Sequence, residues 1–376
     1  MPTTEDARKG GVLFFKNCKK QMKLIEFTES LGAFYRQKDI DKEVTSLSTL
    51  LDKVMSYYIE KYDLVDDAEF AAVKYMAHLK PAERKVKLRS YLETQLKRAK
   101  DLIIGACAYG SLDGKENFYF FFFRKDGGLV NEFYASTIDT KKYFYRMRGS
   151  ENYQVYNRMG LFVIPDNIIR LVGKQRFNQD GIPCLYLGES LYCAWEEVRR
   201  KDFEQVNFSG FTNTRSLKVL DLTIKSNLLR KEDFILAFFA LLVSGKVVDK
   251  DAHKYQYDVS NLVMDVLQAS ITKGGDVDGI RYMSSRRYDG MELYVADTNK
   301  MYGYVFPPKG GTKVGDLDKW MRDTFKLTEP RTSFMYDVHR IDFDRTRTAI
   351  TRDYQNTLFY KIEEQLKKEK FNYCDK

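Results

Sequence analysis

The stretch QRFNQDGIPCLYLG at residues 175–188, followed by AWEEVR at residues 194–199, joins a polar turn, a short apolar run and a segment with helical spacing. Gly181 and Pro183 mark the turn. The apolar letters CLYL are typical of a short buried strand. Ser190 is a favourable N-cap for the helix that follows. The stretch therefore predicts a turn, a strand and a helix in close succession.

This succession brings three chemically distinct side chains near one another. Arg176 is expected in the loop, Tyr186 on the strand and Glu197 on the helix packed behind it. A cation, an aromatic ring and a carboxylate would then converge on one cleft, which we interpret as the active site of an enzyme. Taken singly, Tyr186 would equally suit the core, and Glu197 would suit a solvated helix face.

Length and composition are those of a folded protein with a sizeable core. The chain has 376 residues, of which 44% are hydrophobic and 31% charged, and its net charge is +9. Such a charge suits a phosphorylated small molecule, nucleic acid or acidic lipid. No run of five Lys or Arg occurs, so a nucleic-acid partner is not expected. A basic but ordinary surface is the simplest interpretation.

Cysteine and histidine usage excludes several kinds of site. The five cysteines are scattered without a CxxC pair, which favours a reducing compartment. None of the three histidines lies near the central stretch, which argues against a histidine-dependent triad or a histidine-rich metal site.

The sequence also bears on localisation. The first residues lack the apolar core of a secretory signal, and the apolar run at residues 234–243 is too short for a membrane span. We therefore expect a cytoplasmic site of action and no membrane span, with delivery by a specialised secretion system left open.

The chain divides into three regions by pattern. Residues 1–105 carry apolar residues at intervals of three and four and are predicted to form a helical accessory domain. Residues 106–300 alternate strands and short helices and are predicted to be the catalytic domain. The aromatic run at residues 118–123 is predicted to be a strand. Residues 301–376 are predicted to form a C-terminal extension with helices.

Two further stretches carry chemistry together with the central one. YFYRMR at residues 143–148 is strand-like, and strand alternation points Arg146 and Arg148 to the same side. DGIRYMSSRR at residues 278–287 is a turn and strand that ends in two hydroxyls.

Together the three stretches resemble the RES family, named for its Arg, Glu and Ser. Longer members of that family often begin with a cysteine-based metal knuckle. Cys18 is the only cysteine in that region here, so no metal is expected. The matching segments, in family order, are residues 145–146, 176–178, 181–183, 185–187, 194–198 and 279–286.

The resemblance implies a fold and an activity. The fold would be α+β, an ADP-ribosyltransferase-like core of mixed and antiparallel sheet with flanking helices, preceded by a helical N-terminal domain. The activity would be that of a bacterial toxin or effector that consumes NAD+ as its substrate and cleaves the nicotinamide–ribose bond by hydrolysis or phosphorolysis.

The resemblance also implies catalytic roles. Glu197 would stabilise the oxocarbenium-like ribose, and Ser284 would offer a hydroxyl to the nicotinamide ribose or carboxamide. Arg146 or Arg176 would bind the pyrophosphate. Tyr186 would stack on nicotinamide or shape its pocket.

Further NAD+-binding positions follow from the same motifs. These are Arg148, Tyr145, Asn178 and Tyr282.

Two adjacent pairs require a choice of register. The family spacing from Ala194 selects Glu197 over Glu196, and since helix neighbours differ by about 100° only one should face the cleft. The spacing from Tyr282 selects Ser284 over Ser285.

Two other functions remain open at this point. A protein ADP-ribosyltransferase would share the site and need a docking surface for its protein target. A non-enzymatic basic binding protein would carry the site as a vestige, although retention of Arg146, Arg176, Glu197 and Ser284 speaks against decay. An antitoxin or immunity protein is a further expected partner.

Overall fold

The structure is a computed structural model. It describes residues 21–31, 34, 45–108, 112–150, 153–163, 175–178, 181–225, 227–244, 255–284, 301–309, 319–336 and 354–374.

Helices and strands alternate through most of the described chain. The helices are α1 (Leu24–Leu31), α2 (Leu47–Asp63), α3 (Pro81–Ala108), α4 (Leu112–Phe122), α5 (Arg158–Leu161), α6 (Leu191–Glu197), α7 (Lys231–Val243), α8 (Tyr255–Thr272), α9 (Lys319–Thr324) and α10 (Leu358–Leu366). The strands are β1 (Ala135–Ile138), β2 (Tyr143–Gly149), β3 (Leu185–Gly188), β4 (Val206–Asn213), β5 (Leu217–Leu222), β6 (Gly279–Met283), β7 (Tyr302–Phe306), β8 (Phe325–Leu327) and β9 (Asn372–Tyr373).

These strands form one mixed sheet in the order β1-β5-β6-β7-β3-β2-β4-β8-β9. β5 and β6 are parallel, and α7 and α8 lie between them in sequence, as a parallel crossover requires. The other strand pairs are antiparallel. A mixed sheet with flanking helices and preceding helices confirms the predicted α+β class.

The N-terminal helices and the sheet share one hydrophobic core. The buried stripe of α2 faces α7, where the Tyr58 hydroxyl donates to the Phe234 carbonyl at 2.7 Å. α7 is apolar on all sides and buried from Asp233 to Val243, as its sequence predicts. A second cluster joins α6 and α10 to one face of β2 through Tyr145 and Met147.

Residues 118–122 of the aromatic run form the last part of α4, so the predicted strand is wrong. Phe118, Phe121 and Phe122 each contact the ring of Phe239 on α7. A short continuous apolar run cannot be assigned by periodicity, since strand and buried helix both lack a polar face. Here the packing of this segment against α7 accompanies a helical conformation.

The sheet continues past the predicted domain boundary at residue 300. β7 lies between β6 and β3, in the middle of the sheet, and β8 and β9 extend the opposite edge. Pro307 follows β7 directly, as expected of a residue that cannot donate to a central ladder. Residues 301–376 thus contribute to the same sheet as the catalytic region.

Within the region predicted to be helical, Asp67–Ala71 forms only a 3₁₀ turn, which is followed by further turns. Arg84 on α3 holds this irregular segment. Its guanidinium donates to five backbone carbonyls, those of Phe70, Ala71, Val73, Ala77 and Leu79, at 2.6 to 3.0 Å. Arg84 is 6% exposed.

No helix in the described part of the chain is both long enough and apolar enough to cross a membrane.

We expect Arg84→Met to destabilise the protein strongly, because it leaves buried carbonyls without donors. Unsatisfied buried groups cost about 1–3 kcal/mol each, so a loss of at least about 3 kcal/mol is expected. Urea unfolding at neutral pH would measure it. Lys87→Met, an exposed position on the same helix, is the control. Equal stability of the two variants would contradict this role of Arg84.

Candidate active site

The sheet opens between β2 and β3. The two strands pair only through Tyr145 and Gly188, whereas β2 pairs with β4 over seven residues. Beyond that single pair, no residues of β2 and β3 are paired in a ladder. Arg146 comes directly after Tyr145 on β2, and Tyr186 lies two residues before Gly188 on β3. These two predicted site residues therefore lie on opposite sides of the opening.

Arg146 lies in the opening. Its Nη1 donates to the backbone carbonyl of Tyr186 at 3.1 Å, in the place of a strand partner. Burial, with the nearby charge of Arg148, lowers the pKa of Arg146 to about 10. The guanidinium is therefore still charged at neutral pH. Arg148 donates to the Gly160 carbonyl at 2.9 Å and stacks 5.3 Å from the Tyr156 ring.

Tyr186 is the centre of a hydrogen-bonded group. Its hydroxyl donates to Asn178 Oδ1 at 2.6 Å and accepts from the Phe177 backbone N–H at 3.2 Å. The predicted loop residues are thus fixed to the predicted strand residue. Burial raises the pKa of Tyr186, so its hydroxyl stays protonated and donates.

Arg176 extends from the same loop toward α7 and α8. Its Nη1 donates to the Val243 carbonyl at 2.5 Å, and its guanidinium lies 5.1 Å from the Tyr257 ring centre. It is half-buried. Its charge acts on the hydroxyls of both Tyr186 and Tyr282.

Tyr282 on β6 completes the aromatic wall. Its ring centre is 4.7 Å from that of Phe177. The ring crosses β7 at Gly303, where an added Cβ would come within 2.4 Å of Tyr282 Cζ. Glycine at this position is therefore required for the ring to lie where it does.

The two adjacent glutamates of α6 face different surroundings. Glu196 is 1% exposed, accepts from Tyr192 and pairs with Arg200 Nε at 2.8 Å. Glu197 is exposed and has no hydrogen bond or ion pair among the described residues. The register chosen from family spacing thus selects the carboxylate that is not engaged in packing.

Glu197 acts on the tyrosines of the opening. Burial is the main cause of the raised pKa of Tyr186 and Tyr282, and the Glu197 carboxylate adds to both. Glu197, Tyr186, Tyr282 and Arg176 therefore form one electrostatic group.

Two predicted site residues are buried, the binding residue Tyr145 and the catalytic residue Ser284. Tyr145 points away from Arg146, as strand neighbours do, and packs in the cluster with α6 and α10. Ser284 ends β6 with its N–H donating to the Met301 carbonyl at 3.0 Å, and it is fully buried. Ser285 is outside the described residues.

A charged network at the start of α6 was not singled out from the sequence. Glu189 Oε1 pairs with Lys142 Nζ at 2.9 Å, and Glu189 Oε2 accepts from the Tyr304 hydroxyl at 2.9 Å. Arg281 on β6 approaches Glu189 at 3.6 Å and Asp221 at 3.7 Å. The available signal was a charged residue within each apolar strand, Asp221 in LKVLDL and Arg281 in GIRYM.

The N-cap of α6 is as predicted. The Ser190 side chain accepts from the Cys193 N–H at 3.0 Å. The described residues contain no group of three His, Cys, Asp or Glu suited to a metal ion.

Comparison with known proteins now adds to this geometry. The family model described as "RES domain" matches residues 145–302. The match covers less than half of the chain, and we refer to these matched residues as the RES domain. The RES domain includes the β2–β3 opening, α6 and β6, and it ends as β7 begins.

Two similar proteins give further context for the RES domain. "Putative toxin YopC" of Bacillus subtilis (strain 168) is 26% identical over 218 residues, covering 52% of this chain and 48% of YopC. The chain thus spans about half the length of this curated relative. The M. tuberculosis MbcT–MbcA toxin–antitoxin complex aligns at a TM-score of 0.29 and 15% identity, over 54% of this chain and 91% of that chain.

Glu189→Gln tests the charged network through pH. Burial acts to raise the pKa of Glu189, but Lys142 and Arg281 lower it overall. The ionised group therefore stabilises the fold above the ordinary glutamate pKa of about 4.3, and this contribution is lost as pH falls through the lower folded value. We expect the variant to be about 1.5 kcal/mol less stable than wild type at pH 7.

That stability difference should narrow on acidification, as measured by urea unfolding at a series of pH values. Glu116→Gln, at an exposed glutamate, is the control. A difference that does not change with pH would contradict the role of the ionised carboxylate.

Proposed function

We propose that this protein is an NAD+-consuming toxin that cleaves the nicotinamide–ribose bond. The observation that carries the proposal is the position of Glu197, an exposed carboxylate whose charge acts on the tyrosines of the β2–β3 opening. Its neighbour Glu196 is buried and engaged in packing, so the two carboxylates have separate roles.

The chemistry of the bond suits this arrangement. Departure of nicotinamide leaves positive charge on the ribose, and a nearby carboxylate stabilises that charge. Glu197 is the candidate for this role. The half-buried ring of Tyr186 offers a flat apolar surface against which nicotinamide would stack.

The cation of the opening suits the pyrophosphate. Among the described residues, the Arg146 guanidinium makes one hydrogen bond, to the Tyr186 carbonyl, so most of its five N–H donors are available to a ligand. Its partial burial strengthens attraction to phosphate oxygens. Arg176 and Arg148 would add positive charge from the two sides of the opening.

The toxin role is proposed from the RES domain and from the name of YopC. A protein that depletes NAD+ in the cytoplasm needs control in the cell that makes it. We therefore propose an antitoxin or immunity protein as its partner.

The pair Glu197→Gln and Glu196→Gln tests the proposal. We expect Glu197→Gln to lower kcat for nicotinamide release by at least about 100-fold, with unchanged stability, because it removes transition-state charge stabilisation. Glu196→Gln should instead weaken the fold, because it loses the charge that Arg200 pairs with. Chromatography of nicotinamide and ADP-ribose products, together with thermal unfolding of each variant, would measure both effects.

Assays with and without phosphate in the buffer distinguish hydrolysis from phosphorolysis. ADP-ribose in phosphate-free buffer indicates hydrolysis, and a phosphorylated product that requires phosphate indicates phosphorolysis. Transfer of label from NAD+ to a protein band would indicate an ADP-ribosyltransferase. Full activity of Glu197→Gln would refute the assignment of the carboxylate.

Arg146→Lys tests the pyrophosphate contact. Lysine keeps a charge but loses the planar fork that binds two phosphate oxygens at once. We expect KM for NAD+ to rise by about tenfold, with a smaller change in kcat. Initial rates over a range of NAD+ concentrations measure the two constants. Arg98→Lys, exposed on α3, is the control, and unchanged kinetics of Arg146→Lys would count against the contact.

A further inference from the structure

The helix that carries Glu197 is held at its other end by residues outside the RES domain. α6 has seven residues, and such a short helix has little stability of its own. The position of Glu197 therefore depends on what fixes the helix. The first N–H groups of a helix have no partner within it and need acceptors from elsewhere.

Two of those acceptors come from the C-terminal part of the chain. The carboxyl Oε1 of Glu363 on α10 accepts from the Leu191 N–H at 2.7 Å. The hydroxyl of Tyr354 hydrogen-bonds with the backbone amide of Tyr192 and donates to the same Glu363 oxygen. The third amide, of Cys193, is satisfied by Ser190 within the RES domain.

Packing reinforces these hydrogen bonds. The ring of Phe359 on α10 lies 5.4 Å from the rings of both Tyr192 and Trp195 on α6. Glu363 is 1% exposed and Tyr354 7% exposed, so water does not compete freely for these contacts. A negative carboxyl near a helix N-terminus is also favourable electrostatically.

We propose that residues 354–366 act as a clamp on α6, with Glu363 and Tyr354 as positioning residues for Glu197. The inference rests on the proposed function for its catalytic consequence. The hydrogen bonds of Glu363 and Tyr354 reach α6 at the end of the helix opposite to Glu197.

The clamp predicts a kinetic effect without loss of substrate binding. Glu363→Ala should lower kcat for nicotinamide release by about tenfold or more, since small misplacement of a catalytic group is costly, while KM for NAD+ stays within about twofold. Glu363→Gln keeps an acceptor oxygen and should recover most of kcat. Glu364→Ala, the next residue on α10, is the control and should behave as wild type.

Hydrogen exchange of the full chain gives a readout that does not need activity. Glu363→Ala and Tyr354→Phe should each speed amide exchange in residues 191–197 by about fivefold or more, as loss of a cap does, with no change in residues 231–243 of α7.

The possible results distinguish a failure of the proposed NAD+ cleavage from a failure of the proposed clamp on α6. Wild-type protein that releases no nicotinamide would refute the proposed function, and exchange in α6 would then decide the clamp. Unchanged exchange in α6 of Glu363→Ala, or unchanged kcat in an otherwise active protein, would overturn the clamp. Equal acceleration of α6 and α7 would indicate general destabilisation and would overturn it as well.

Discussion

The single residue pair between β2 and β3 is the constraint on which the site depends. A full ladder there would close the sheet and leave no room for Arg146 beside the Tyr186 carbonyl. The opening lets a guanidinium occupy a place normally taken by a strand. On the same strand, the Tyr186 hydroxyl holds the loop of Phe177 and Asn178.

The carboxyl groups around α6 differ in how they are engaged. Glu189, Glu196 and Glu363 are each engaged with named partners and hold the helix and the turn before it. Glu197 stands apart from them, exposed at the end of the helix. Three of the four carboxyl groups around this short helix are therefore held by structural contacts, and Glu197 is the one that is not held in this way among the described residues.

Much of this arrangement follows from the sequence. The turn, strand and N-cap around Ser190 are local patterns and are confirmed. The choice of Glu197 over Glu196 came from the family spacing counted from Ala194, and helical geometry added that only one of the two should face the cleft. Three features could not be predicted, because they depend on packing between segments far apart in the chain. They are the helix formed by the aromatic run, the β2–β3 opening and the contact of Glu363 with Leu191. Periodicity carries no information about such partners.

The central position of β7 has a practical consequence for domain dissection. The family match ends at residue 302, where β7 begins, yet β7 joins β6 to β3. A fragment cut at that boundary would present two unpaired strand edges in the middle of its sheet, and exposed edges recruit other chains. It would also lack the residues that cap α6. The minimal folding unit of this protein is therefore larger than the conserved unit recognised by sequence.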